Sequence, residues 1–255
     1  MRMTLLGLAV VLAAAGAPRG AGAAEIKVLT AGAFKQSLLA LIGDFEKQSG
    51  HKVIVENDTV GALAKRIEGG EAFDVAVLTP GAVNDLTGKG KFVAGSRAHL
   101  ARVGVGVMVR AGAPKPDVSS VDTFKQALLA AKSVAYIDPA SGGSSGIYIA
   151  GLLDKLGIAD QIKSKAKLKQ GGYVADLIVK GEAELGIHQI SEIVPVKEVT
   201  LVGPLPAEIQ NYTIYAAGLG AGAKDNEAAK ALIKTLTGAA AAAVLKEKGM
   251  DRPGS

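Results

Sequence analysis

The chain has 255 residues, 49% of them hydrophobic, which is enough for a sizeable core in one large or two small domains. Aromatic residues make up only 4% and tryptophan is absent, so the composition disfavours a site that stacks bases or sugars on aromatic faces, and with it a nucleic-acid-binding role. The formal net charge of +5 favours an anionic partner, and the absence of cysteine excludes disulfides.

The first 24 residues have the pattern of a secretory signal peptide. Arg2 precedes an apolar stretch at 5–15, and small residues at 21–24 precede Glu25. The apolar stretch is too short for a transmembrane helix, and the alternative is an apolar core helix. We predict cleavage near residue 23 or 24 and a periplasmic mature protein. Its net charge falls to +3, because Arg2 and Arg19 are removed from a chain of charge +5.

The first third of the mature sequence predicts a βαβαβ unit. Strand-like runs at 26–30, 53–56 and 73–78 alternate with helical periodicity at 38–45 and 62–67. Gly50 ends the first helix, and Pro80 follows the third strand. The connections are long enough to join parallel strands.

A similar pattern restarts after a strand at 103–109 and a proline-rich segment at 111–116. Helices are predicted at 121–131, 147–156 and 174–180, and strands at 133–138, 166–169 and 184–189. A turn at 203–206, a strand at 212–217 and one long alanine-rich helix at 226–247 complete the chain. The expected fold class is α/β, with two lobes joined by crossing hinge strands. Lobe I is predicted to hold residues 25–104 and 214–255, and lobe II residues 105–213.

Two glycine-rich turns each precede a predicted helix, at 31–35 and at 141–146. The first turn of a helix has unpaired N–H groups and a partial positive charge, so such turns are suited to binding an anion. Ser144 and Ser145 are equally compatible with plain helix capping. Two such turns about a hundred residues apart predict one anion held between two lobes.

Several stretches resemble the periplasmic molybdate-binding protein family, which are two-lobed solute receptors of ABC importers. The matching stretches are 26–33, 63–70 with 73–75, 138–139 with 146–148, 155–157 and 184–187. The resemblance extends over nearly all of the mature chain. It implies the type II periplasmic-binding-protein fold, a small anionic ligand, no cofactor, and the membrane subunits of an ABC transporter as partners.

The sequence departs from this family where the family's oxyanion is held by hydroxyl groups. Ala33 stands in place of one serine, the turn at 58–61 in place of a serine-rich turn, and His188 with Gln189 in place of a tyrosine. Each lost partner leaves an oxygen unpaired at about 1–3 kcal/mol. We therefore favour a small organic di- or tricarboxylate and keep an oxyanion such as molybdate as the other candidate.

The candidate ligand-binding residues lie in five loops that match the family's binding loops. They are Ala33, Phe34, Lys35, Thr59, Val60, Gly61, Ser144, Ser145, Gly172, Tyr173, His188 and Gln189. The alternatives are a buried structural role for His188, a solvated Lys35 and a plain turn at Gly172. His51 and His99 have no acidic or thiol partner at metal-ligand spacing, so no metal site is predicted.

The predicted function is capture of a small anion by a monomeric, non-enzymatic receptor that delivers it to an ABC importer. The alternative is a sensor that passes its signal to a membrane receptor. A hydrolase is disfavoured because the sequence contains no G-x-S-x-G motif, paired Cys/His or two-histidine metal motif.

Overall fold

The computed structural model describes residues 22–254, so most of the predicted signal peptide, residues 1–21, lies outside the described residues. The strands are β1 (Glu25–Ala31), β2 (Lys52–Asp58), β3 (Val75–Leu78), β4 (Ala98–Arg110), β5 (Val134–Ile137), β6 (Ala166–Lys169), β7 (Leu185–Gln189), β8 (Val199–Pro204) and β9 (Tyr212–Leu219). The helices are α1 (Gly32–Ser49), α2 (Val60–Glu68), α3 (Pro80–Gly88), α4 (Val121–Ala130), α5 (Ser144–Lys155), α6 (Ala159–Lys163), α7 (Ala175–Val179), α8 (Ile190–Ile193), α9 (Asn226–Thr237) and α10 (Ala241–Glu247).

The strands form two sheet regions that share β4. In the first region, β1 pairs in parallel with β2 and β3, and β9 is antiparallel to both β3 and β4. In the second region, β5 is parallel to β6 and β7, and β4 is antiparallel to β7 and β8. The partner of β4 changes from β9 to β7 between Gly104 and Val105. The predicted α/β class is confirmed, and the lobe boundaries stay a prediction.

Apolar periodicity explains how the helices cover these sheets. In α1, the buried residues Phe34, Leu38, Leu41 and Phe45 recur every three or four positions and form one apolar stripe. The helix ends at Gly50, whose φ of 75° is the left-handed conformation that glycine adopts without strain. The helix packs against β1 and β2, and this packing fixes the first turn of α1 at the carboxyl end of β1.

Two segments differ from the sequence predictions because of their proline and glycine residues. Pro80 does more than end a strand: it is the first residue of α3, where its missing N–H costs nothing. The predicted single helix at 226–247 is wrong, because the chain bends by 62° between α9 and α10 at Gly238, a poor helix former. No single helix in residues 22–254 is long and apolar enough to cross a membrane, and only the bent pair α9 and α10, taken together, meets those criteria.

Candidate functional site

A small cavity lies where the carboxyl ends of strands from both sheet regions meet, the usual position of ligands in α/β proteins. Its volume is about 30 Å³, while a single water molecule needs about 10–15 Å³ on the same scale, so the surrounding loops are closed tightly around it. The lining residues are Ala31, Gly32, Ala33, Asn57, Asp58, Thr59, Val60, Ile137, Gly143, Ser144, Ser145, Gly172, His188, Gln189, Glu192 and Tyr215.

Three helices, α1, α2 and α5, begin at this cavity. Thr59 caps α2 by accepting a hydrogen bond from the backbone N–H of Ala62. Neither α1 nor α5 has a capping side chain. Their first N–H groups, at 32–34 and 144–146, therefore have no partner within the helix or from a cap. Together with the helix dipoles, these groups contribute positive potential to the cavity, whose described lining includes no lysine or arginine.

Contacts across the cavity mouth hold the two sides together. The Gly61 N–H donates to the Gly142 carbonyl at 3.1 Å, and the Thr59 hydroxyl donates to the Ser141 carbonyl at 2.5 Å. A Cβ atom on Gly61 would lie 2.8 Å from the Gly142 Cα, closer than real Cβ contacts. Glycine at position 61 is thus required for the close approach of the two backbones.

The polar side of the cavity is formed by β7 and β9. The Tyr215 hydroxyl donates to Gln189 Oε1 at 2.9 Å, and the Gln189 amide donates to the Thr213 hydroxyl at 3.3 Å. All three side chains are buried. Burial raises the pKa of Tyr215 well above its usual value, so the hydroxyl keeps its proton. These bonds fix the orientation of the Gln189 amide.

His188 and Glu192 form a second buried polar group beside Gln189. The distance from His188 Nε2 to Glu192 Oε2 is 3.2 Å, which is within hydrogen-bond range. Burial lowers the pKa of His188 to about 3 and raises the pKa of Glu192 to about 8. Both groups are therefore uncharged at neutral pH. His188 Nδ1 is buried and has no hydrogen-bond partner among the described residues.

The described residues that line the cavity include no lysine or arginine. One acidic residue, Asp58, accepts a hydrogen bond from the Thr59 N–H at 2.8 Å, and the other, Glu192, is protonated at neutral pH. Any anion held here would therefore be bound by neutral donors and by helix N-termini.

Eight of the twelve sequence-predicted site residues line the cavity: Ala33, Thr59, Val60, Ser144, Ser145, Gly172, His188 and Gln189. The other four lie close by without lining it. Phe34 is fully buried in the core, Lys35 is half-buried on α1, and Gly61 packs on Gly142. The Tyr173 hydroxyl accepts a hydrogen bond from the Gln36 amide at 2.5 Å. The ligand-binding role of all twelve stays a prediction.

Sequence reasoning missed Glu192 and Tyr215, the two lining residues with the largest upward pKa shifts. Glu192 carried a signal, since it lies among the apolar residues Ile190, Ile193 and Val194 and follows His188 by four positions. A carboxyl group in such a segment is buried and costly unless it stays protonated or has a partner. Tyr215 carried no such signal, because it lies in an ordinary apolar strand.

Comparison with known proteins gives one matching family model and two relatives at about 30% identity. The family model described as bacterial extracellular solute-binding protein matches residues 26–251. The chain is 31% identical over 231 residues to an aconitate isomerase from Pseudomonas sp, with 88% of this chain and 87% of that protein covered. It is also 30% identical over 258 residues to the molybdate-binding protein ModA of Azotobacter vinelandii, with 98% of both chains covered.

The fold is also similar to that of a solved structure. The periplasmic molybdate-binding protein of Azotobacter vinelandii matches with a TM-score of 0.77, 22% identity, and coverage of 89% of this chain and 99% of that one. At this level of identity the similarity concerns the fold.

Proposed function

The chain belongs to the bacterial extracellular solute-binding protein family, and from this we propose that it captures a small organic di- or tricarboxylate for an ABC importer. The resemblance to molybdate-binding proteins and the periplasmic-binding-protein fold expected from the sequence are both confirmed. The family and its structural neighbours are mostly binding proteins without catalytic activity. The identity of the ligand is the part that we propose.

One observation carries the proposal: three helix N-termini converge on a cavity whose described lining has no cationic side chain. Backbone N–H groups and helix dipoles stabilise negative charge at such a point. A ligand without acceptor oxygens would leave these N–H groups unpaired, at about 1–3 kcal/mol each, and hydrogen bonds to an ionised oxygen are roughly twice as strong as those to a neutral one. The cavity therefore favours an anion.

The side chains favour a carboxylate over a tetrahedral oxyanion. The hydroxyl of Thr59 already donates to Ser141, and one N–H of the Gln189 amide donates to Thr213, which leaves the second N–H of Gln189 as a directional donor suited to a carboxylate oxygen. Ser144 and Ser145 are lining hydroxyls in the first turn of α5. Of the two relatives about equally similar to this chain, one is named for an unsaturated tricarboxylate and the other for molybdate.

The proposed location and partners follow from the family. We propose that the signal peptide at 1–24 directs the protein to the periplasm and is removed there. The mature chain would act as a monomer that docks on the membrane subunits of an ABC transporter. Homologues of the chain are periplasmic binding proteins.

A thermal-shift screen tests the ligand. The purified mature chain is heated with molybdate, sulfate, malate, fumarate, citrate, cis-aconitate or trans-aconitate. A ligand at a hundred times its Kd adds about 2.7 kcal/mol to the free energy of unfolding, so the true ligand raises the Tm clearly. We expect a carboxylate to give the largest rise. A rise with molybdate or sulfate alone would contradict the proposed ligand.

A serine variant tests whether the ligand binds in this cavity. Ser145 is buried in the first turn of α5, and Ser145→Ala removes one hydrogen bond of about 1 kcal/mol, which corresponds to a roughly fivefold higher Kd. The matched control is Ser164→Ala, at an exposed position outside the cavity. Equal Kd values for the two variants would exclude Ser145 from the binding site.

The pair formed by His188 and Glu192 favours a second candidate function, isomerisation of a bound unsaturated carboxylate. The Glu192 carboxyl lines the cavity and can take a proton from the carbon next to a double bond in its ionised form, then return it to the far carbon as the double bond shifts, with His188 Nε2 as its hydrogen-bond partner. No net proton or electron is consumed by this reaction. The relative named aconitate isomerase makes cis- and trans-aconitate the substrates to try.

Proton NMR in D₂O tests this second function. If the protein is an isomerase, it converts cis-aconitate into the trans isomer, introduces deuterium at carbon, and loses the activity in the Glu192→Gln variant. Absence of conversion by a wild-type protein that binds aconitate would leave the receptor function and exclude the isomerase.

A further inference from the structure

We propose that Glu192 determines the affinity of this cavity for anions: the anion binds when Glu192 holds its proton and is released when that proton leaves. In the bound state, Glu192 also fixes His188 as a hydrogen-bond donor to the anion. This inference rests on one part of the proposed function, namely that an anion binds in the cavity.

The geometry of the pair determines where the protons lie. At 3.2 Å, one hydrogen must lie between Glu192 Oε2 and His188 Nε2. When Glu192 is protonated, its O–H donates to Nε2, and the imidazole then carries its own hydrogen on Nδ1. His188 lines the cavity, and Nδ1 is the buried atom that has no partner within residues 22–254. An anion in the cavity is the partner that this N–H lacks.

The surroundings of Glu192 offer no compensation for a negative charge. The helix α8, which carries Glu192, packs on α1, β4, β7 and β8. Within the described residues, the ionisable side chain that lies within ion-pair distance of the Glu192 carboxyl is His188. The other titratable groups that interact with the pair are Tyr173, Tyr215 and Asp176, none of them cationic. Gly32, the first residue of α1, faces the Glu192 carboxyl. A Cβ atom added at Gly32 would lie 2.7 Å from Glu192 Oε1.

An ionised Glu192 would therefore repel a bound anion inside a buried cavity. Burial already raises the pKa of Glu192 to about 8 before any ligand is present. A nearby anion raises it further, because like charges disfavour ionisation. Binding is thus coupled to protonation. The Kd should be constant below pH 7 and about tenfold higher at pH 9, where about one Glu192 in ten keeps its proton.

Isothermal titration calorimetry tests the coupling. The mature chain is titrated between pH 6.5 and 9.5 with the carboxylate that gave the largest shift in the screen, or with molybdate if no carboxylate binds. Titrations in two buffers of different ionisation enthalpy give the number of protons taken up. We expect none at pH 6.5 and close to one per site at pH 9. Glu192→Gln should weaken binding several-fold at pH 6.5 and remove both the proton uptake and the pH dependence.

The control is Glu182→Gln, at an exposed position on the turn before β7, which should keep the wild-type pH profile. A wild-type Kd that does not change up to pH 9, or a proton uptake that persists in Glu192→Gln, would overturn the inference. If Glu192→Gln does not fold, the wild-type proton uptake decides alone. Binding of molybdate but no carboxylate would contradict the proposed ligand and still test this inference, so the two failures are distinguishable.

Discussion

At the scale of single residues, Glu192 and His188 make the stability of the fold depend on pH in opposite directions. The folded pKa of Glu192, about 8, exceeds its ordinary value of 4.5, so its contribution is complete below pH 4.5 and is lost as the pH rises toward 8. The folded pKa of His188, about 3, is below its ordinary value of 6.5, so its contribution is complete above pH 6.5 and is lost as the pH falls toward 3. Between pH 4.5 and 6.5 the two slopes oppose each other.

This arrangement predicts how Glu192→Gln changes the pH dependence of stability. From pH 6.5 to 8 the slope due to Glu192 is no longer opposed by His188, and it amounts to about 2 kcal/mol over that interval. The variant lacks this slope, so its free energy of unfolding, relative to wild type, should rise by that amount. Urea unfolding of both proteins at pH 6.5 and 8 measures the difference. A difference that does not change with pH would show that Glu192 titrates normally in the folded protein.

The sequence alone predicted the backbone part of the site better than its side chains. Helix starts near residues 33, 60 and 145 follow from glycine, serine and threonine placed after apolar strands, which is local information. The pairing of His188 with Glu192 is also local in the sequence. The uncharged state of both side chains, however, depends on burial by α1, which is distant in the sequence. Tyr215 reaches the cavity only because β9 runs between β3 and β4, and no local pattern indicates that.

At the scale of elements, two glycine-containing turns allow the start of α2 to contact the turn before α5. Gly61 donates its N–H to the Gly142 carbonyl, and a methyl group at position 61 would lie 2.8 Å from the Gly142 Cα. The clash is with backbone, so the turns must separate. The contact closes the cavity mouth beside Thr59 and Ser144.

We therefore expect Gly61→Ala to fold and to bind its anion about tenfold more weakly, because the hydrogen bond to Gly142, of about 0.5–1.5 kcal/mol, is lost and the mouth opens. Calorimetric titration of the variant measures the Kd. Gly43→Ala is the matched control: it lies on an exposed face of α1 with no atom near its Cβ position, and should bind normally. It should even be more stable, by about 0.5–1 kcal/mol. An unchanged Kd in Gly61→Ala would mean that closure does not depend on this contact.

The same residue types explain which elements the sequence predicted poorly. Pro80 is expected to end a strand, but at the first position of α3 it favours helix, and Thr79 caps that helix. The alanine-rich segment that predicts one helix includes Gly238, whose low helix propensity permits the bend that packs Ala241 and Leu245 into the core. In both cases tertiary packing decides between two local outcomes that the sequence leaves open.

At the scale of the whole molecule, the two sheet regions depend on one another at the point where β4 changes partners. Val105, the first residue paired with β7, is fully buried. Its N–H donates to Gln210 Oε1 at 2.8 Å, and its carbonyl accepts from Gln210 Nε2 at 3.0 Å. Neighbouring Gly104 leaves room for the Gln210 amide, because a Cβ atom added at Gly104 would lie 3.2 Å from the Gln210 Nε2. Val105 is paired with β7, and the Gln210 side chain adds bonds to both of its backbone groups between the segments of β4 that pair with β9 and with β8.

Replacing this side chain should weaken the whole protein, because Gln210→Met keeps the length of the side chain and removes both hydrogen bonds to Val105. The buried Val105 N–H then loses its partner, while the Val105 carbonyl keeps the bond from the Leu205 N–H, and we expect the free energy of unfolding to fall by about 1–3 kcal/mol. Urea unfolding at neutral pH measures the loss, with Gln161→Met at an exposed position of α6 as the control. An unchanged m-value would show that both sheet regions still unfold together. Equal stability of the two variants would mean that water replaces the Gln210 amide at Val105.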